Sequence, residues 1–223
     1  MKFLSKNFAY LLVLTVLMIF ASGCVNVDQK TVINNDGTGN ITLHYWTKNS
    51  NLSMGDEVGG FAFADSKVRE NYSSGNTEVT DVKIEKNDVD STSHVNVNLK
   101  FKDFNKLSEA KAYSKVTPVW TKGDNGMTFS YTIAKDTANA GNMGMSEYKL
   151  TYAFEFPGDV LETNGRKDGS NKVVWEKTVA DLKDDLVFTA TVKGGGKGCG
   201  LFGIELPIVI LLGSVLAYRR FKK

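Results

Sequence analysis

The sequence predicts a mainly β fold of the α+β kind: an antiparallel sheet curled into a barrel or sandwich, with one or two short helices and a C-terminal transmembrane helix behind it. Three observations carry this. Apolar residues alternate with polar ones through at least five segments between residues 25 and 193, the period of a half-buried strand. The stretches between them are rich in Gly, Asn and Asp, the residues of tight turns. The only long unbroken apolar runs lie at the two ends of the chain.

The strands follow in order. Val25, Val27 and Ile33 fall on one face, which polar Gln29 and Thr31 are expected to interrupt. Asn34 to Asn40, NNDGTGN, is a hairpin turn in which Asp-Gly supplies positive φ. Ile41, Leu43 and Tyr45 alternate back, and Phe61 to Tyr72 is expected as a short helix. Val79 to Glu85 pairs with Val95, Val97, Leu99 and Phe101. Asp103 has the place of an N-cap for about two helical turns that put Phe104 and Leu107 on one face. Met127 to Ile133, Tyr148 to Phe156, Lys172 to Val179 and Leu186 to Val192 complete seven to nine strands. VADLKDDLVF reads as a hairpin turn between the last two. With at most two helices to cover the aromatic faces, the sheet must curl into a barrel or sandwich, or wrap around a helix. Such a curl with large side chains inside leaves room for an apolar cavity.

The ends read as membrane signals. Residues 1–23 join a basic start (Lys2, Lys6) to the apolar run Phe8 to Phe20 and then to small residues, the layout of a secretory signal peptide. Ala21-Ser22-Gly23-Cys24 resembles a bacterial lipobox, which implies that Cys24 is the lipidation site, with Ala21 where Leu is most usual. An ordinary signal peptide followed by a structural cysteine is the alternative. A Cys24–Cys199 disulfide would close almost the whole mature chain and staple nothing inside the domain. Residues 194–200 form a Gly-rich linker, and residues 201–218 are 18 residues without amphipathic period, roughly 27 Å as a helix. The basic tail, residues 219–223, is expected in the cytoplasm. Residues 24–193 are therefore expected outside the cell membrane, lipid-anchored and single-pass. A glycine/cysteine motif, a span and a basic tail also resemble tripartite sorting signals, in which Cys199 is a candidate processing or lipidation position.

Charge follows the same division. The formal +2 comes from the two ends, whereas residues 24–193 hold 20 Lys/Arg against 24 Asp/Glu. A mildly acidic domain lacks the concentrated basic face of a nucleic-acid binder. His44 and His94 are the only histidines, each out of phase with the apolar set of its strand and so expected on the outside. No His or Cys cluster has metal-ligand spacing, and NNDGTGN carries one carboxylate where a calcium loop needs several. No nucleophile elbow, phosphate loop or dinucleotide fingerprint occurs. The expectation is no catalytic residue, no metal, no cofactor and no enzyme activity. An envelope hydrolase using paired carboxylates remains the enzymatic alternative.

Three segments together resemble a known family: SGCVNVDQKTVINNDGTGNITL after the lipobox, VNLKFKDFNKLSEA midway, and YAFEFPGDVLETNGRKDGSNKVVWEKTV late. In this order they are similar to the LppM domain family of bacterial envelope lipoproteins. The late segment is the most specific, with Phe156-Pro157-Gly158, Asn164-Gly165 and Val174-Trp175. Read on physical grounds, Pro157 ends strand pairing, Gly158 and Asn164-Gly165 make turns, and Trp175 fills the core. The resemblance implies a non-enzymatic binding or scaffold module of the cell envelope, in contact with lipid or glycolipid.

Overall fold

The computed structural model describes residues 25–137 and 145–194. Nine strands have seven residues or more: β1 (Asn26–Ile33), β2 (Gly39–Lys48), β5 (Thr77–Asn87), β6 (Thr92–Phe101), β7 (Val116–Gly123), β8 (Gly126–Ile133), β9 (Lys149–Glu155), β12 (Lys172–Thr178) and β13 (Leu186–Val192). Four short strands accompany them: β3 (Glu57–Val58), β4 (Phe61–Ala62), β10 (Val160–Thr163) and β11 (Arg166–Lys167). Helix α1 (Asp65–Tyr72) and five 3-10 segments make up the helical content of the described residues.

The strands form two main sheets and one small hairpin, so the expected curl resolves as an open two-sheet stack and not as a closed barrel. The larger sheet has the order β11-β12-β9-β1-β2-β6-β5, the smaller β10-β13-β8-β7, and β3-β4 pair alone. Pairing is antiparallel with one exception: β1 and β9 run parallel, Val27 opposite Leu150 and Val32 opposite Glu155. The expectation of a wholly antiparallel sheet fails there because these strands lie more than a hundred residues apart, and no local turn fixes their direction.

Several elements follow from local chemistry. The first turn closes with Gly37 at φ +83°, and Asp36 Oδ1 accepts from Thr38 N–H and Oγ1–H. Asp103 caps the 3-10 segment Phe104–Glu109 by accepting from Asn105 N–H. In a 3-10 turn residues i and i+3 eclipse, so Phe104 and Leu107 both point inward and are fully buried. The expected helix from Phe61 begins only at Asp65. Phe61 and Phe63 instead pack on Tyr45, whose hydroxyl donates to Ala62 O, and this pins β4 as a strand. VADLKDDLVF is no hairpin. Thr178 donates its N–H and Oγ1–H to Asp181, a 3-10 segment follows at Val179–Lys183, and the chain crosses from the large sheet to the small one.

β7 carries no expectation from the sequence. Pro118 lies within it, and it is tolerated because β7 is the outer strand of the smaller sheet. The side chain of Asn105 stands in for a missing neighbour strand there, donating to Trp120 O and accepting from Trp120 N–H.

Aromatic rings join the two sheets. Phe129 of β8 packs on Phe154 of β9 and Trp175 of β12, and Phe188 of β13 packs on Trp175 and Tyr152. Phe104 enters from the side and meets Phe101, Phe129, Tyr131 and Phe154. This junction predicts that Phe104→Ala lowers stability by about 3–5 kcal/mol, read as a reduced denaturation midpoint of the purified protein. A change below about 1 kcal/mol would show that Phe104 is peripheral.

Candidate functional site

The smaller sheet covers the β9–β12 side of the larger one. Over β1 and β2 the inner face is covered instead by α1, the β3–β4 hairpin and the 3-10 segment Lys111–Tyr113. Between these parts lies a partly enclosed cavity of about 360 Å³, within the ~300–1,000 Å³ of small-molecule sites. Val25, Val27 and Gln29, with Leu43, Leu150 and Tyr152, form its floor. Tyr131 and Ile133 of β8 and Val116 of β7 form the roof, while Asn71, Tyr72, Tyr113 and Phe61 close the sides. Its exposed rim runs through Glu57, Gly59 and Gly60 on the hairpin and through Lys111, Ala112, Ser114 and Lys115.

The floor explains why polar Gln29 and Thr31 do not interrupt the buried face. Both are buried, at 3% and 1% exposure. Gln29 Nε2 donates to Thr31 Oγ1 at 3.1 Å, and Tyr113 donates its hydroxyl to Gln29 Oε1 at 3.5 Å. Pairing of this kind offsets the cost of burying an amide. Burial pushes the phenols of Tyr72, Tyr113, Tyr131 and Tyr152 above their ordinary range, so they remain neutral. Among the described residues, the buried side-chain polar atom left without a hydrogen-bond partner is Trp120 Nε1, which does not line this cavity. The cavity thus combines a largely apolar lining with the neutral polar groups of Gln29, Asn71 and the four tyrosines.

The residues singled out from sequence are distributed as follows. Cys24, Cys199, the signal segment and the expected span at 201–218 lie outside the described residues. Among the described residues no helix is long and apolar enough to cross a membrane, and no group of three or more His, Cys, Asp or Glu is placed to hold a metal ion. A second concavity, of about 500 Å³ on the outer face of the larger sheet, is lined by Lys30, Asn98, Lys100, Glu155 and Lys172 together with Val32 and Ala153.

His44 and His94 come together on that same outer face, half-buried because they stack with Trp46. Their hydrogen bonds have a direction. Asp90 Oδ1 accepts from Thr92 Oγ1–H, Thr92 Oγ1 accepts from His94 Nε2–H, and His94 Nδ1 then accepts from His44 Nε2–H at 3.0 Å. A carboxylate only accepts, and this fixes both tautomers. A proton added to the pair therefore goes to His44 Nδ1.

The late motif has a stronger role than turn formation. Asn164 Oδ1 accepts from Trp175 Nε1–H at 2.8 Å and from Thr189 N–H at 2.9 Å, and its amide donates to Val187 O. It stitches β12 of one sheet to β13 of the other. Gly165 is required for space and not for backbone freedom: a Cβ there would lie 2.5 Å from both Trp175 Cε2 and Val173 Cγ1. Gly158 likewise lies against Lys193 O. Trp175 fills the core as the sequence implies, at 4% exposure.

These features define a two-sheet β domain with an internal, largely apolar cavity. The LppM domain family matches residues 26–193, and the chain belongs to that family. It is also 24% identical over 230 residues to an uncharacterized protein of Archaeoglobus fulgidus, covering 97% of this chain and 98% of that one. The NMR structure of the Mycobacterium tuberculosis LppM folded domain aligns over 78% of this chain and 91% of that one, at 14% identity and a TM-score of 0.44.

Two outcomes follow. Asn164→Ala leaves the Trp175 indole N–H unpaired and is expected to cost about 1–3 kcal/mol, with red-shifted Trp fluorescence as the chain unfolds at lower denaturant. Burial and the neighbouring His94 lower the His44 pKa from 6.5, against an opposing effect of Asp28. The unfolded chain then binds the proton more tightly, so this contribution to stability is fully present above about pH 6.5 and is lost as pH falls from there through the lower value of the folded protein. Chemical denaturation at pH 7.5 and 5.5 should show a drop that His44→Gln flattens; an identical drop in the variant would contradict the assignment.

Proposed function

We propose that this protein is a non-enzymatic, membrane-anchored module of the cell envelope whose cavity takes up an acyl chain of a lipid or glycolipid. The cavity carries the reading: about 360 Å³, floored by Val25, Val27, Leu43 and Leu150. The phenol hydroxyls of its tyrosines suit the ester or hydroxyl oxygens at the polar end of such a ligand, while its apolar side chains suit the chain. Burial of apolar surface supplies the affinity, at about 0.8 kcal/mol per CH2.

Anchoring is part of the same proposal. Cys24 receives a diacylglycerol after removal of residues 1–23, its acyl chains being palmitate-like, and residues 201–218 span the cell membrane with the basic tail inside. The domain then stands on the extracytoplasmic side, within reach of its ligand. Cleavage at a C-terminal sorting signal near Cys199 is the second reading, favoured by the Gly-Cys-Gly motif before the apolar run. An intact Lys223 in the mass of the mature protein eliminates it.

The test is uptake. Full-length protein purified in mild detergent should carry a co-purifying lipid in native mass spectrometry and bind a fluorescent fatty acid at micromolar concentration. Val27→Phe, which adds a ring on the cavity floor, is expected to weaken uptake at least tenfold while the protein stays folded by circular dichroism. Absence of both bound lipid and uptake in the unaltered protein would contradict the proposal.

A further inference from the structure

The chain leaves the domain at two opposite ends, and only one of them is the cavity end. Val25 lines the cavity, and Cys24 is a single peptide step from it, ~3.8 Å between Cα atoms. β1 and β9 run parallel away from that end. The last strand runs the same way: Leu186 pairs with Ile133, which lines the cavity, whereas Val192 pairs with Met127. Lys193 N–H donates to Asp159 O, just beyond the far end of β9. The exit toward the C-terminal segment therefore lies about 20 Å from the cavity end, the length of the six steps of β13.

Lengths of chain then decide the orientation. An acyl group on Cys24 has no linker between it and the cavity wall. The other exit has residues 194–200, which reach at most ~25 Å when extended. That is just enough to run back alongside the domain to the same bilayer. With the cavity end pointing away from the membrane, the Cys24 lipid would be held about 20 Å above the hydrocarbon it must enter. The rim meets a headgroup layer through small and polar groups, with Lys111 exposed beside Ala112, Ser114 and Gly60, Glu57 on the hairpin and Lys115 paired to Asp136.

We infer that the rim of the cavity, from Gly60 to Ser114, docks on the surface of the anchoring bilayer, so that the cavity opens directly onto membrane lipid. This inference rests on the proposed acylation of Cys24 and on the reading of the cavity as a lipid site.

β7 provides the test, because Ser114 precedes its start at the rim and Asp124 follows its end at the far side. Full-length Cys199→Ser protein, in which an acylated Cys24 sulfur does not react with maleimide, is labelled with a nitrobenzoxadiazole fluorophore at Ser114→Cys or at Asp124→Cys. Each is reconstituted into phosphatidylcholine–phosphatidylglycerol vesicles with and without doxyl-labelled lipid. Quenching at Ser114→Cys is expected to be at least threefold that at Asp124→Cys. Lys111→Cys serves as a second rim label should Ser114→Cys fail to fold. Equal quenching at both ends, or stronger quenching at Asp124→Cys, overturns the inference. Fatty-acid uptake is measured on the same vesicles. Uptake with equal quenching defeats the docking and leaves the lipid reading intact; rim quenching without uptake defeats the lipid reading and leaves the docking.

Discussion

A seven-stranded sheet has an inner face that a four-stranded sheet cannot cover. Every other feature of the domain answers that mismatch. The smaller sheet is held over β9 and β12 by aromatic pairs, and Asn164 fixes the seam by binding both Trp175 and the backbone of β13. The inner face of β1, β2 and β6 must then be covered by whatever the chain has left. Phe104 and Leu107 cover part of it, and α1 with the β3–β4 hairpin covers more. What none of them reaches is the cavity.

The cavity is therefore a consequence of architecture more than of one loop. Its walls come from elements that are fixed elsewhere: β1 and β9 by their neighbours in the sheet, β8 by β7 and β13, α1 by its contact with β5. Tyr45 holds the hairpin by its bond to Ala62 O. Such a space cannot collapse without breaking sheet hydrogen bonds, and large cavities in stable proteins persist for this reason. The tyrosines of its lining add polarity without charge, because burial keeps the phenols protonated.

The strands with strict alternation were legible in the sequence, and so were the Asn34–Asn40 turn and the Asp103 cap. β2, β6, β8, β9 and β13 fall where period two places them. Beside the misplaced start of α1, the VADLKDDLVF segment and β7, three further features were not legible, each for a physical reason. Gln29 and Thr31 look like a break in a buried face because their compensating partners, each other and Tyr113, are visible only in three dimensions. The parallel pairing of β1 with β9 joins strands that no turn connects. Gly165 has the composition of a turn, yet it is fixed by the ring of Trp175 pressed against its Cα. The site was the least legible part. Its lining residues are ordinary core types, and only the mismatch of two sheets makes them a cavity.

The most direct measurement is side-chain NMR of protein labelled at tyrosine, tryptophan and histidine during addition of a long-chain fatty acid. The account predicts that the resonances of Tyr72, Tyr113, Tyr131 and Tyr152 move together and saturate, while the outer-face rings of Trp46 and the two histidines keep their shifts. Movement of the outer-face rings with the four tyrosines unchanged would place the ligand on the outer face of the larger sheet and contradict it.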